Sequence, residues 1–179
     1  MIEKKINIKF YLVPGLIILS LFLRLLAIYF VRDAEFDNEW NNLLNNLIKH
    51  KSYSVYNFNN ELIPSVYMPP LYPFFIYLVN IITSFQGSNL INLIVFIQAL
   101  LSTYSVYLFF QLCQNFFSQK ISLISSALFS IIPINLYACG QISSINLQIF
   151  LTLLFLNFLI LLTKRQTNKN IFIFSIISG

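Results

Sequence analysis

Residues Arg32 to Pro73 read RDAEFDNEWNNLLNNLIKHKSYSVYNFNNELIPSVYMPPLYP and separate two apolar parts of the chain. Five of the six carboxylates fall inside this stretch, Asp33, Glu35, Asp37, Glu39 and Glu61, and the sixth, Glu3, is near the start. No acid follows Glu61. A soluble surface scatters charge along the whole chain. This distribution instead implies one polar, acidic face on an apolar body.

The composition agrees. Of 179 residues 58% are hydrophobic and only 9% charged, against about 25% charged in soluble domains, and the mean hydropathy is +0.75. The fold class that follows is all-α, a polytopic transmembrane helix bundle whose outer-face loop carries an amphipathic juxtamembrane helix. The net charge of +5 does not point to nucleic acid, because the basic residues sit at the ends of apolar runs rather than along a stripe. They read as cytoplasmic anchors. Cys113 and Cys139 are far apart and each closes an apolar run, so no disulfide framework or metal knuckle is indicated. With four glycines in the chain, the helices are expected to pack through larger side chains than the small-xxx-small type.

Working outward from the acidic stretch, the run at about residues 10–31 is long enough to cross a hydrocarbon core of roughly 30 Å. The basic leader MIEKKINIK before it places the N-terminus in the cytoplasm. Phe36, Trp40, Leu43, Leu44, Leu47 and Ile48 recur at helical spacing with asparagines between them, which predicts an amphipathic surface helix over 36–48. Residues 49–65 read as a polar loop, and Pro64, Pro69, Pro70 and Pro73 as a stiff entry into the apolar segment 71–85. That segment is short for a span. Parity decides its role: if it stays on the outer face, Lys120, Lys164, Arg165 and Lys169 all fall inside, as the positive-inside rule favours. The expected spans are therefore about 10–31, 89–112, 121–139 and 145–163, with an outer loop over 32–88. Residues 171–179 are too few to cross, and the chain is expected to stop inside a fifth span of a longer domain.

On a wheel of about 100° per residue, Asp37 lies inside the apolar arc of the surface helix, between Leu44 and Ile48. A carboxylate there is costly unless it has a task, or unless it caps a helix that begins after it; both readings are open. Glu39 falls near the opposite edge of the arc. Asp33 and Glu35 read as caps or solvated groups, and His50 as a complement to the helix dipole. Arg24, the one charge inside an apolar run, either snorkels toward headgroups or faces the bundle interior, where a guanidinium forks onto phosphate oxygens.

Two motifs, Asp37-Asn38-Glu39-Trp40 and Met68-Pro69-Pro70-Leu71-Tyr72-Pro73, set in this order of spans, resemble the GT-C class of membrane glycosyltransferases. Within it the pattern is most similar to the protein O-mannosyltransferase and aminoarabinose-transferase group. The resemblance implies a polyprenyl-phosphate sugar donor and transfer to a lipid, glycan or protein acceptor on the outer face of the inner membrane. It implies Asp37, then Glu39, as catalytic carboxylates, taking the acceptor proton or holding a divalent ion, and Arg24, Pro69, Pro70 and Tyr72 as substrate-binding residues. Which metal such a site takes, if any, is open. The chain departs from the group's pattern in two places: residues 140–146 hold no second acid, and Met68 stands where a lysine often precedes Pro-Pro. The chain alone is expected to be inactive. A transporter lined by Arg24 and Asp37, or a non-catalytic membrane scaffold, are the rival classes.

Overall fold

A computed structural model of the chain describes residues 9–35, 39–57 and 59–164, with the backbone alone for 9–11 and 39. The basic leader up to Ile8, Asp37, Arg165, Lys169 and the segment 171–179 lie outside the described residues.

Helix α1 (Lys9–Val31) is one continuous helix of 23 residues, roughly 34 Å at the usual helical rise, and its segment Leu12–Val31 is apolar enough to span. The surface helix follows as α2 (Glu39–His50). The expected apolar arc is realised in it: Leu43, Leu44 and Leu47 are buried, with Ile48 at its exposed edge. Two short antiparallel strands come next, β1 (Ser54–Tyr56) and β2 (Leu62–Pro64), in the register Val55 opposite Ile63. They replace the featureless loop read from the sequence. The reversal between them is organised by one side chain, the Asn57 Oδ1 atom, which accepts the backbone N–H groups of Asn59 at 2.9 Å and Glu61 at 2.8 Å.

Helix α3 (Leu71–Thr83) begins after Pro70 and holds Pro73 in its first turn, where a missing N–H costs no helical hydrogen bond. It ends on Ser84, whose left-handed φ of 56° lets its N–H return to the Asn80 carbonyl at 2.7 Å. Three residues later α4 (Gly87–Gln114, 28 residues) starts on a glycine with φ of 55°, a conformation that glycine adopts without strain. Helices α5 (Gln119–Ser130) and α6 (Pro133–Cys139) then divide the run that the sequence presents as one span, and they are bent by 53°. The cause is local. Ile132 precedes a proline and takes ψ of 120°, because the proline ring excludes the helical region for its predecessor. Helix α7 (Ile145–Lys164) completes the described chain.

Among the described residues three helices, α1, α4 and α7, are long and apolar enough to cross a membrane, and the bent pair α5–α6 makes a fourth if counted as one span. This marks a membrane protein. Their order follows from contacts at the two ends. At one, the loop end, Arg32 Nη2 donates to Asn92 Oδ1 at 2.6 Å and the Asp33 N–H to the Gly140 carbonyl at 3.3 Å. At the other, Lys164 Nζ donates to Asn115 Oδ1 at 2.6 Å. Helix α1 thus runs toward the loop end, α4 away, α5–α6 back and α7 away. Because α3 connects elements that both sit at the loop end, it does not pass through the bundle.

The interior also buries many small polar side chains. Ser122, Ser126 and Ser130 recur every four residues along α5 and are all buried; the hydroxyls turn back onto carbonyls of their own helix, as Ser126 Oγ does to Ser122 O at 2.7 Å. This is a small-xxx-small stripe made of serine, so the inference from scarce glycine to bulky packing does not hold: serine supplies the close approach glycine would have given. Gly140 makes another close approach. A Cβ there would stand 3.2 Å from the Arg32 Cα.

Candidate functional site

Trp40 and Tyr72, one from each sequence motif, meet in space. Leu44 of α2, Tyr72 and Ile76 of α3, Leu90, Ile94 and Val95 of α4 and Ile142 form one apolar cluster, with Trp40 packed against it. The Trp40 ring stands edge-on to that of Tyr72, with centroids 5.1 Å apart, a geometry that the aromatic quadrupoles favour. The acidic helix and the proline turn are therefore one unit seated on the bundle.

Tyr72 is also its polar anchor. Its ring is 2% exposed, and its hydroxyl donates to Gln98 Oε1 at 2.7 Å, while Gln98 Nε2 donates to the Gln141 carbonyl at 2.7 Å. Three segments, α3, α4 and the α6–α7 connection, are joined by that chain. Around it, Asn46 Nδ2 donates to the Ser54 carbonyl at 2.7 Å, tying α2 to β1. Tyr53 donates to the Met68 carbonyl at 2.7 Å and stacks on Phe74, holding the residue before Pro69. Partial burial pushes the Tyr53 phenol above its ordinary range, against the opposing hydrogen bond from Ser65. Pro69 and Pro70 are exposed, and their part in the unit is to set the entry of α3.

Of the expected carboxylates, Asp37 lies outside the described residues, and Glu39 is the first residue of α2, its side chain likewise outside them. Asp33 and Glu35 are exposed where the chain leaves α1. Among the described residues no group of three or more His, Cys, Asp or Glu is placed to hold a metal ion.

Arg24 faces the interior and does not snorkel: it is 0% exposed. Its Nε donates to Ser102 Oγ at 2.8 Å and its Nη1 to the carbonyl and hydroxyl of Ser20 at 3.0 and 2.6 Å. Its Nη2 has no partner among the described residues, although a buried guanidinium is costly until its donors are satisfied. Ser102 lies one turn beyond Gln98 on α4, so the Arg24 and Tyr72 contacts occupy consecutive turns of the same helix face. Asn146 continues this polar interior: it is 1% exposed, its Nδ2 is also unpartnered among the described residues, and its Oδ1 lies 3.7 Å from Cys139 Sγ.

The sequence reading passed over Gln98, Ser102, Gln141 and Asn146. A signal for the first two was present, since a polar pair four residues apart in an apolar run shares one helix face; for Gln141 the bond is made by the backbone, and side-chain identity carries no trace of it. Comparison of the chain with protein-family models, with curated proteins and with solved structures finds no match.

Proposed function

We propose that the protein is a membrane glycosyltransferase of the GT-C kind, taking a sugar from a polyprenyl-phosphate donor and passing it to an acceptor at the loop end, on the outer face of the membrane. The observation that carries this reading is the seating of Trp40 on Tyr72: the last residue of the first motif rests on the tyrosine of the proline turn, which is anchored to the bundle. Transfer would be inverting. The acceptor oxygen attacks the anomeric carbon and the bond from that carbon to the phosphate oxygen breaks. The lipid phosphate keeps the electron pair, and Asp37, or in second place Glu39, takes the acceptor proton. The spare Arg24 Nη2 supports a role toward a phosphate oxygen, the partner a guanidinium fork fits best. An apolar groove of about 660 Å³, lined by Leu21, Thr103, Tyr104 and Phe150 among others, suits a polyprenyl chain; Thr103 directly follows the serine that holds Arg24.

A second reading, a transporter, is favoured by the bend between α5 and α6 together with a buried arginine that keeps one nitrogen unpartnered among the described residues, since broken helices and interior charges line transport pathways. One experiment separates the two. Vesicles carrying the protein from its intact gene are given polyprenyl-phosphate sugars or nucleotide sugars, and free polyprenyl phosphate and sugar transfer are measured. Release that requires the lipid-linked donor is expected. Transfer from nucleotide sugars alone, or no turnover with any donor, would overturn the transferase reading as stated.

A further inference from the structure

A second cavity, away from Arg24, opens in the loop unit itself between α2, the two strands and the proline turn. Its volume is about 540 Å³, within the roughly 300–1,000 Å³ of small-molecule sites. Two tyrosines stand on it, Tyr56 and Tyr67, and both are open to solvent, Tyr67 being 84% exposed. Packing gives no reason for a ring so exposed. Between them the lining presents the Asn42 and Asn60 amides and Ser65. Neither amide has a side-chain partner among the described residues, and no charged side chain belongs to the described lining.

Parts of this cup are held in place. The Tyr56 hydroxyl is 3.2 Å from His50 Nε2, which ties the ring to the end of α2. The Asn60 N–H returns to the Asn57 carbonyl at 3.0 Å, with Asn60 in the left-handed conformation, φ 61°, one that asparagine tolerates better than most residues. The Ser65 N–H donates to the Tyr53 carbonyl at 3.0 Å.

The geometry points to a binding site for a neutral carbohydrate. Amides and hydroxyls each both donate and accept hydrogen bonds, as sugar hydroxyls require, and the electron-rich face of a tyrosine receives the apolar C–H face of a pyranose. Among the described residues the lining offers no cation for a phosphate or sulfate and no carboxylate for a basic peptide. The inference rests on the transferase reading for its meaning: the saccharide held here is the acceptor, and the acceptor is a neutral glycan.

Binding is testable without turnover. The protein from its intact gene, in lipid nanodiscs free of lipid-linked donor, is titrated with cellobiose, maltose and di-N-acetylchitobiose by saturation-transfer NMR, with a neutral hydroxyl-containing peptide as comparison. At least one disaccharide binds, and Tyr67→Ala and Asn42→Ala each weaken it roughly tenfold, the size of one lost contact. The thermal midpoint should not move, because both side chains are exposed. Absence of binding by all three sugars, binding indifferent to both substitutions, or preference for the peptide would overturn the assignment. Polyprenyl-phosphate release, measured separately after lipid-linked donor is supplied to the same protein, distinguishes failure of this site from failure of the transferase reading.

Discussion

Arg24 is held by two serines and keeps one nitrogen of its guanidinium unmatched among the described residues. If that nitrogen exists for a phosphate, stability and activity should part company on substitution. Arg24→Met removes a buried charge that no described carboxylate pairs with, and such replacements are commonly neutral or stabilising. The expected outcome is an unchanged or higher unfolding midpoint in detergent, with donor turnover reduced roughly ten- to hundredfold, as for a lost charge-assisted hydrogen bond. A large fall in the midpoint with turnover preserved would make Arg24 a structural residue. The sequence marked Arg24 as unusual because any charge in an apolar run is costly, yet left open which way it points. Direction depends on Ser20, one turn earlier on the same helix, and on Ser102, which is distant in sequence and offers no local signal.

Among the elements, α3 is attached to the bundle by both an apolar face and one buried hydrogen-bonded chain, Tyr72 to Gln98 to Gln141. Tyr72→Phe keeps the ring against Trp40 but leaves Gln98 Oε1 without its donor, which costs about 1–3 kcal/mol. Hydrogen exchange should then quicken along α3 and leave α4 little changed; equal protection in both proteins would show that the chain does not hold α3. Helix α2 was legible from its sequence because the spacing of Leu43, Leu44 and Leu47 specifies a buried face. The strands were not, since three residues are too few for an alternation to show, and their pairing is set by the Asn57 turn. The bend at Ile132 was readable in principle from Pro133. It is masked by the apolar residues on either side, which let hydropathy run through the break.

Across the whole molecule, the charges at the ends of the runs carry more information than the runs themselves. The outer-face placement of α3 is an expectation from Lys120, Lys164, Arg165 and Lys169; in the bundle α3 joins two elements at the same end. That order predicts opposite labelling: a cysteine at Val66, 96% exposed, should react with a membrane-impermeant reagent added outside, and one at Lys164 only after the membrane is opened. Both native cysteines are buried, so the background is low, and labelling of both positions from the same side would contradict the helix order. The loop end is thereby expected to face the compartment in which transfer occurs. The most direct test of the central claim, that the chemistry belongs to the acidic segment before α2, is release of polyprenyl phosphate from labelled polyprenyl-phosphate sugars by vesicles carrying the native protein or Asp37→Asn, each from the intact gene. Asparagine keeps the size of the side chain and removes the charge and the base. The account predicts release by the native protein and loss of at least about a hundredfold in a variant that inserts normally, in line with removal of a general base; release at the native rate in the variant would contradict it.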